Sequence, residues 1–167
     1  MPQGTLERLR PYIDGAYVQS RTEKFTTVYD PSTGEAIAQA PCCTQQEVDA
    51  AIAAAAAAYP AWKRTPARKR AQLMYNLRNL IVRDMDELTM LVARENGQAW
   101  SEAAGDVGKA LEMTELACSA PALLMGESLQ AASSGSGTVL YREALGVGAG
   151  LEPGNLPAET PLAGRAP

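Results

Sequence analysis

The chain contains no histidine. That absence removes Ser-His-Asp triads, Cys-His nucleophile pairs and most zinc sites, which rely on an imidazole to move a proton or offer a lone pair near neutral pH. Phenylalanine occurs once and aromatic residues make up 5% of the 167 residues, so alanine dominates the apolar content. With so few large rings, the expected core is helix packed on helix with small side chains in close approach. Cysteine occurs three times, at 42, 43 and 118. Cys42-Cys43 has no second pair at ligand spacing and no Gly-rich context of a nucleophile. It reads as small residues at a strand end, and no metal site is expected. Cys118, at helical spacing among Leu116, Ala117 and Ala120, reads as a buried packing thiol. The opening MPQGTLERLRPYIDG holds no continuous apolar stretch of the secretory kind, which with the few cysteines points to a reducing, cytoplasmic compartment. No run is long and apolar enough for a membrane span; the alanine run at 50–58 is short and weakly hydrophobic, so no membrane partner is expected.

What is present is the composition of a folded domain: 46% hydrophobic and 20% charged residues. The formal net charge of −4 offers nucleic acid no general attraction. One local exception, Lys63, Arg64, Arg68, Lys69 and Arg70, reads as a solvated first helical turn in preference to a phosphate site.

Along the chain, Asp14-Gly15 marks a turn between two short strands over 11–19. Asp30-Pro31-Ser32-Thr33-Gly34 marks another within the alternating stretch 25–41, and together these predict a small antiparallel β-layer. Thr44 and Glu47 have the spacing of a capping box, opening an Ala-rich helix expected to end at Tyr59-Pro60. Thr65-Pro66 repeats the start signal for a helix over about 66–96. Its stripe is Met74, Leu77, Ile81, Met85, Leu88 and Val92, widened by Leu73, Leu80, Met90 and Leu91, and Gly97 is its stop. A third helix is expected over about 98–124, where Gly105 and Gly108 suggest close contact with another element or a ligand. Residues 131–137 read as a flexible turn, 137–145 as a strand and the tail after 157 as irregular. Between 146 and 167 there are five Gly and four Pro, which breaks regular structure.

The segment GVGAGLEPGNLP, residues 146–157, reads as a strand running into a Pro-bracketed turn that presents Asn155. It resembles the start of the dinucleotide-binding domain of aldehyde dehydrogenases. Tyr12-Ile13-Asp14-Gly15, Asp30 to Glu35 and Glu95-Asn96-Gly97 resemble successive landmarks of that family's N-terminal region, so the resemblance runs from Tyr12 to about Pro161. Residues 120–129, APALLMGESL, resemble a helix end of the CoA-acylating methylmalonate-semialdehyde dehydrogenases.

The resemblance implies an α/β fold: an N-terminal antiparallel β-layer, three helices and an oligomerisation strand over residues 1–145, then the first strand of an incomplete Rossmann-like domain and a tail over 146–167. It implies a reaction in which a thiol attacks a small-molecule semialdehyde, a hydride passes to NAD, and the thioester is transferred to CoA after loss of carbon dioxide. Asn155 falls on the family's oxyanion donor; a turn-forming Asn between two prolines is the alternative reading. Contacts to the nicotinamide cofactor fall on Glu152 and Gly154, where the family has a small apolar residue and an aromatic one. Lys109 stands where the subfamily usually has an arginine for the substrate carboxylate, keeping charge without bidentate geometry. The family's nucleophilic Cys and general-base Glu lie further along its sequence than these residues reach. The resulting expectation is a truncated enzyme, inactive alone and homo- or hetero-oligomeric. The alternatives are an interaction protein pairing with a full-length paralogue or a separately encoded remainder, and a nonfunctional remnant. Gly146-Gly148-Gly150 is not a GxGxxG phosphate loop.

Overall fold

The computed structural model describes residues 6–163. Strand β1 (Glu7–Arg8) precedes a hairpin of β2 (Tyr12–Ile13) and β3 (Ala16–Tyr17). Asp14 and Gly15 supply its turn with φ of 52° and 78°, the primed geometry that an Asp-Gly pair favours. Strands β4 (Phe25–Tyr29) and β5 (Ala36–Pro41) pair antiparallel across the Asp30 turn. There Asp30 Oδ1 accepts the Ser32 N–H at 2.8 Å, an Asx turn that fixes the corner. The layer is not purely antiparallel as expected: β1 lies parallel against β5, with Glu7 opposite Ala38, in a sheet ordered β1-β5-β4. That register is set by residues too few to show a sequence pattern.

The capping box forms as expected and opens α1 (Gln45–Arg64). The helix does not stop at Tyr59; it runs through Pro60, which forfeits the bond to the Ala56 carbonyl and crowds that oxygen with its ring. Thr65 then closes α1: its N–H reaches Trp62 O at 3.0 Å and its hydroxyl donates to Ala61 O at 3.0 Å. Thr65 is therefore not the N-cap of the next helix. That position is Pro66, which lends α2 (Ala67–Arg83) no side-chain cap. Nor does the alanine face of α1 bring backbones together, since no residue of α1 is fully buried.

The long helix expected over 66–96 breaks at Asp84, with φ −104° and ψ 18°, into α2 and α3 (Met85–Asn96). Arg83 holds the Asp84 carboxylate at 2.6 and 2.7 Å, so it caps neither helix and Arg83 keeps it below its ordinary pKa. Gly97 ends α3 in the left-handed region at φ 67°, as expected. A Cβ there would come within 2.8 Å of Pro31 Cγ, so the Glu95-Asn96-Gly97 corner packs directly on the Asp30 turn.

Helix α4 (Trp100–Cys118) is the centre of the structure. It buries Ala103, Val107, Ala110, Thr114 and Ala117, a 4-3-4-3 spacing that presents one narrow small-residue face to α2 and α3. Ile81 and Val92 meet Ala103 and Val107 there. Burying Val107, 1% exposed, stabilises the fold by roughly 1.5–3 kcal/mol. The buried Thr114 hydroxyl donates to Ala110 O at 2.9 Å, satisfying a polar group in an apolar setting. Cys118 is buried as expected, and burial pushes its thiol above the ordinary range. The helix expected over 98–124 is interrupted at Ser119, giving a separate α5 (Ala120–Leu123). Gly105 and Gly108 make no close approach to another element among the described residues, because a Cβ on either would meet no atom of one within 4 Å.

The remainder is a hairpin of β6 (Ser128–Ser133) and β7 (Ser136–Val139) and a short α6 (Glu159–Ala163). The flexible turn expected over 131–137 narrows to Ser134-Gly135, with Gly135 at φ 78°, and the strand expected over 137–145 ends at Val139. Residues 140–153 form no helix or strand. The run 146–150, expected as a first Rossmann-like strand, lies alone because no described strand runs beside it to take its N–H and C=O groups. The tail is not irregular as expected, since 159–163 is helical; its last residues, 164–167, lie outside the described ones. Among the described residues no helix is long and apolar enough to cross a membrane.

Candidate functional site

The turn that carries Asn155 is held by a residue 52 positions away in sequence. Asp106, 4% exposed in the middle of α4, accepts the Ala158 N–H at 2.9 Å on Oδ2 and the Glu159 N–H at 3.0 Å on Oδ1. Both N–H groups lie at the start of α6, where intrahelical partners are lacking, so the carboxylate satisfies part-buried donors that would otherwise be unpaired. Thr160 N–H closes the first turn on Leu156 O at 3.1 Å. Ala158 and Leu162 then pack against the Ile81–Val107 cluster. A polar anchor and an apolar one thus fix the end of the turn to α4.

The turn itself stands clear of that anchor. Gly154 takes φ 79°, a conformation an L side chain adopts only with strain, so an aromatic residue does not fit here in this geometry. Asn155 is exposed, and among the described residues its amide makes no hydrogen bond. Glu152 is half-buried and folds back, its Oε1 being the atom that a Cβ on Gly150 would meet at 3.0 Å. Lys109 projects from α4 one helical turn beyond Asp106, about 4.5 Å along the axis, and is exposed with Glu112 Oε2 at 3.9 Å. Asn155, Glu152 and Gly154 lie on the turn, and Lys109 on the helix that anchors it.

Asp106 is the residue that sequence reading missed. Its signal was a carboxylate at the spacing of the buried face, three residues after Ala103 and four before Ala110. An acid on that face requires a partner, and the partner is a pair of backbone donors.

No described cysteine is placed as a nucleophile. Cys42 and Cys43 are exposed beyond the end of β5, and Cys118 is buried with its thiol pushed up, chiefly by burial and next by the Glu115 charge. Around the turn the described residues offer the exposed Asn155 and the folded-back Glu152 carboxylate.

A family model described as the aldehyde dehydrogenase family matches residues 17–167. Malonate-semialdehyde dehydrogenase 2 of Oceanobacillus iheyensis is 39% identical over 161 residues, covering 96% of this chain and 33% of the relative. The crystal structure of methylmalonate-semialdehyde dehydrogenase from Oceanimonas doudoroffii superimposes with a TM-score of 0.88 at 32% identity, covering 94% of this chain and 32% of that one. A crystal structure from Sinorhizobium meliloti 1021, complexed with NAD, superimposes with a TM-score of 0.89 at 29% identity, covering 96% of this chain and 33% of its own. The chain thus spans about a third of the length of the relatives it matches, and over that third the ordered turns, the helices and the Asn155 segment share one explanation: the chain belongs to the aldehyde dehydrogenase family.

Proposed function

We propose that these residues form the N-terminal part of a CoA-acylating, NAD-dependent semialdehyde dehydrogenase acting on malonate or methylmalonate semialdehyde. On this reading residues 1–145 are the scaffold and oligomerisation segment, and 146–167 open the cofactor domain. The observation that carries it is the anchored turn: Asp106 fixes Ala158 and Glu159 while Asn155, three residues earlier, stays free. A neutral amide on a turn anchored at one end is suited to donate to an oxyanion that develops when a thiolate attacks an aldehyde. Lys109 supplies a positive charge for the substrate carboxylate as a point charge, without the fork of a guanidinium. NAD would accept the hydride. Glu152 and Gly154 flank the nicotinamide edge through their backbone, the rest of the cofactor site coming from other parts of the enzyme. CoA is the acyl acceptor.

Turnover needs a thiolate and a general base, and neither is assembled among the described residues. The 167-residue chain incubated with malonate semialdehyde, NAD and CoA is expected to produce no NADH, followed by absorbance at 340 nm. Clear turnover by these residues alone would overturn the reading.

A second reading has its own observation. Leu145 is 106% and Leu151 97% exposed, on the segment that lies alone. Such a surface suits an interaction module that pairs with a full-length paralogue or a separate remainder of the enzyme. A monomer by size exclusion with light scattering, showing no binding of an apolar dye, argues against it.

A further inference from the structure

The basic cluster singled out in the sequence divides in the structure. Lys63, on the last turn of α1, and Arg70, on the first turns of α2, line an open cavity of about 640 Å³ flanked on its other side by Arg142, Glu143, Ala144 and Gly146. Arg142 joins them from that side, while Arg64, Arg68 and Lys69 do not line it. The lining holds three cations, Lys63, Arg70 and Arg142, and one carboxylate, Glu143.

The pairing is uneven. Lys63 Nζ lies 3.3 Å from Glu143 Oε2, so those two charges answer each other. Arg142 Nε donates to Met125 O at 3.3 Å, which orients the side chain and leaves its Nη groups without a partner among the described residues. Arg70 Nε is buried with no hydrogen-bond partner, its guanidinium lying 6.0 Å over the Trp62 ring. A buried guanidinium N–H without an acceptor is costly, and a shift of the Arg70 side chain toward an anion in the adjoining cavity would supply one. Trp62 and Met74 add apolar wall, and Tyr59 is held in place by its hydroxyl donating to Ala144 O at 2.8 Å.

We propose that this cavity binds a small organic phosphate ester, its phosphate on Arg70 and Arg142 and its planar or apolar body against Trp62. Guanidinium pairs take phosphate in forked geometry, and the ring adds stacking surface for the ester group. The volume accommodates a ligand larger than inorganic phosphate. Of the 146–157 segment only Gly146 lines the cavity, and none of Glu152, Gly154, Asn155 or Lys109 does, so this proposal stands apart from the catalytic reading.

The test is calorimetric titration of the 167-residue chain with phenyl phosphate, with phenol and inorganic phosphate as separate arms. Saturable one-site binding of phenyl phosphate is expected, at least tenfold tighter than phosphate and with none for phenol. Arg142→Gln is expected to weaken it at least tenfold and Arg68→Gln, outside the cavity, less than twofold; far-UV circular dichroism establishes that both variants fold. Arg70→Gln gives a second tenfold loss, and should that variant not fold, Arg142→Gln decides alone. Absence of saturable binding, equal affinity for inorganic phosphate, or binding indifferent to Arg142→Gln overturns the proposal.

Discussion

Asp106 grips Ala158 across 52 residues of sequence, its Oδ2 2.9 Å from the Ala158 nitrogen while Oδ1 takes the next N–H at 3.0 Å. This contact docks α6 and fixes one end of the Asn155 turn. Replacing Asp106 by Ala removes both acceptors and leaves two part-buried donors unpaired. The expected cost is roughly 2–3 kcal/mol, from charge-assisted bonds lost in a buried setting. Hydrogen exchange reads it locally: the Ala158 and Glu159 amides lose protection ahead of α4. Unchanged protection in Asp106→Ala would show that packing of Leu162 alone seats the helix.

Two glycines separate backbone strain from steric contact. Gly97 and Gly34 share positive φ, at 67° and 74°, but a Cβ on Gly97 meets Pro31 Cγ at 2.8 Å whereas one on Gly34 meets nothing within 4 Å. Gly34→Ala is expected to cost about 1–2 kcal/mol, the price of the left-handed conformation alone. Gly97→Ala carries the same strain plus the clash, and should exceed it by about 1 kcal/mol or more. Urea midpoints at constant m-value make the comparison. Equal losses would mean that the Asp30 turn moves aside freely.

Glu47 gives the fold an acid limb. Its carboxylate accepts the Thr44 N–H at 2.7 Å and the Arg21 N–H at 2.8 Å, with the hydroxyls of Thr44 and Ser20 at 2.9 and 3.1 Å. These bonds, the Thr44 backbone first, lower its pKa from 4.5 to about 2. The folded state holds the carboxylate ionised where the unfolded chain has already taken up a proton. The stabilisation is therefore fully present above about 4.5 and is lost as pH falls toward 2. Glu47→Gln should flatten the pH dependence of stability within that window. An unaltered acid limb would place its origin in other carboxylates.

The local half of this architecture was legible in the sequence because short-range chemistry wrote it there. The Asp14-Gly15 and Asp30 turns, the Thr44–Glu47 box and the Gly97 stop each rest on residues at most a few positions apart. The family resemblance rested on three of these turns together with residues 120–129 and the 146–157 segment. What was missed depends on contacts that span the chain. Nothing near Thr65 indicates that its hydroxyl bonds backward to Ala61, and nothing near Glu47 indicates that Ser20 and Arg21 complete its shell. The helix over 159–163 was obscured by Pro161 and by the absence of any local cap, because its cap is Asp106 on another helix. At the candidate site the turn and Asn155 were visible, and the carboxylate that anchors them was not.

Cysteine reactivity checks whether any thiol here resembles a nucleophile. Cys42 and Cys43 are exposed, whereas Cys118 is buried with its thiol pushed up. Titration with a disulfide reagent at neutral pH should modify the first two promptly. Cys118 should react at least tenfold more slowly until denaturant is added, because thiolate fraction and access both fall. A single thiol reacting faster than free cysteine would instead point to an activated group.

Asn155 tests the functional reading, because its structural and catalytic roles make opposite demands. The side chain is exposed and, among the described residues, unbonded. Asn155→Ala should therefore change stability by less than about 0.5 kcal/mol. In a chimera where these residues replace the matching third of the Oceanobacillus iheyensis relative, the same substitution should lower kcat by about 10²–10³, the loss of one oxyanion donor. Asn155→Asp should do at least as much harm, since a carboxylate repels the oxyanion that an amide stabilises. A large stability loss with kcat retained would make Asn155 a turn residue; an unchanged kcat with unchanged stability would remove it from both roles.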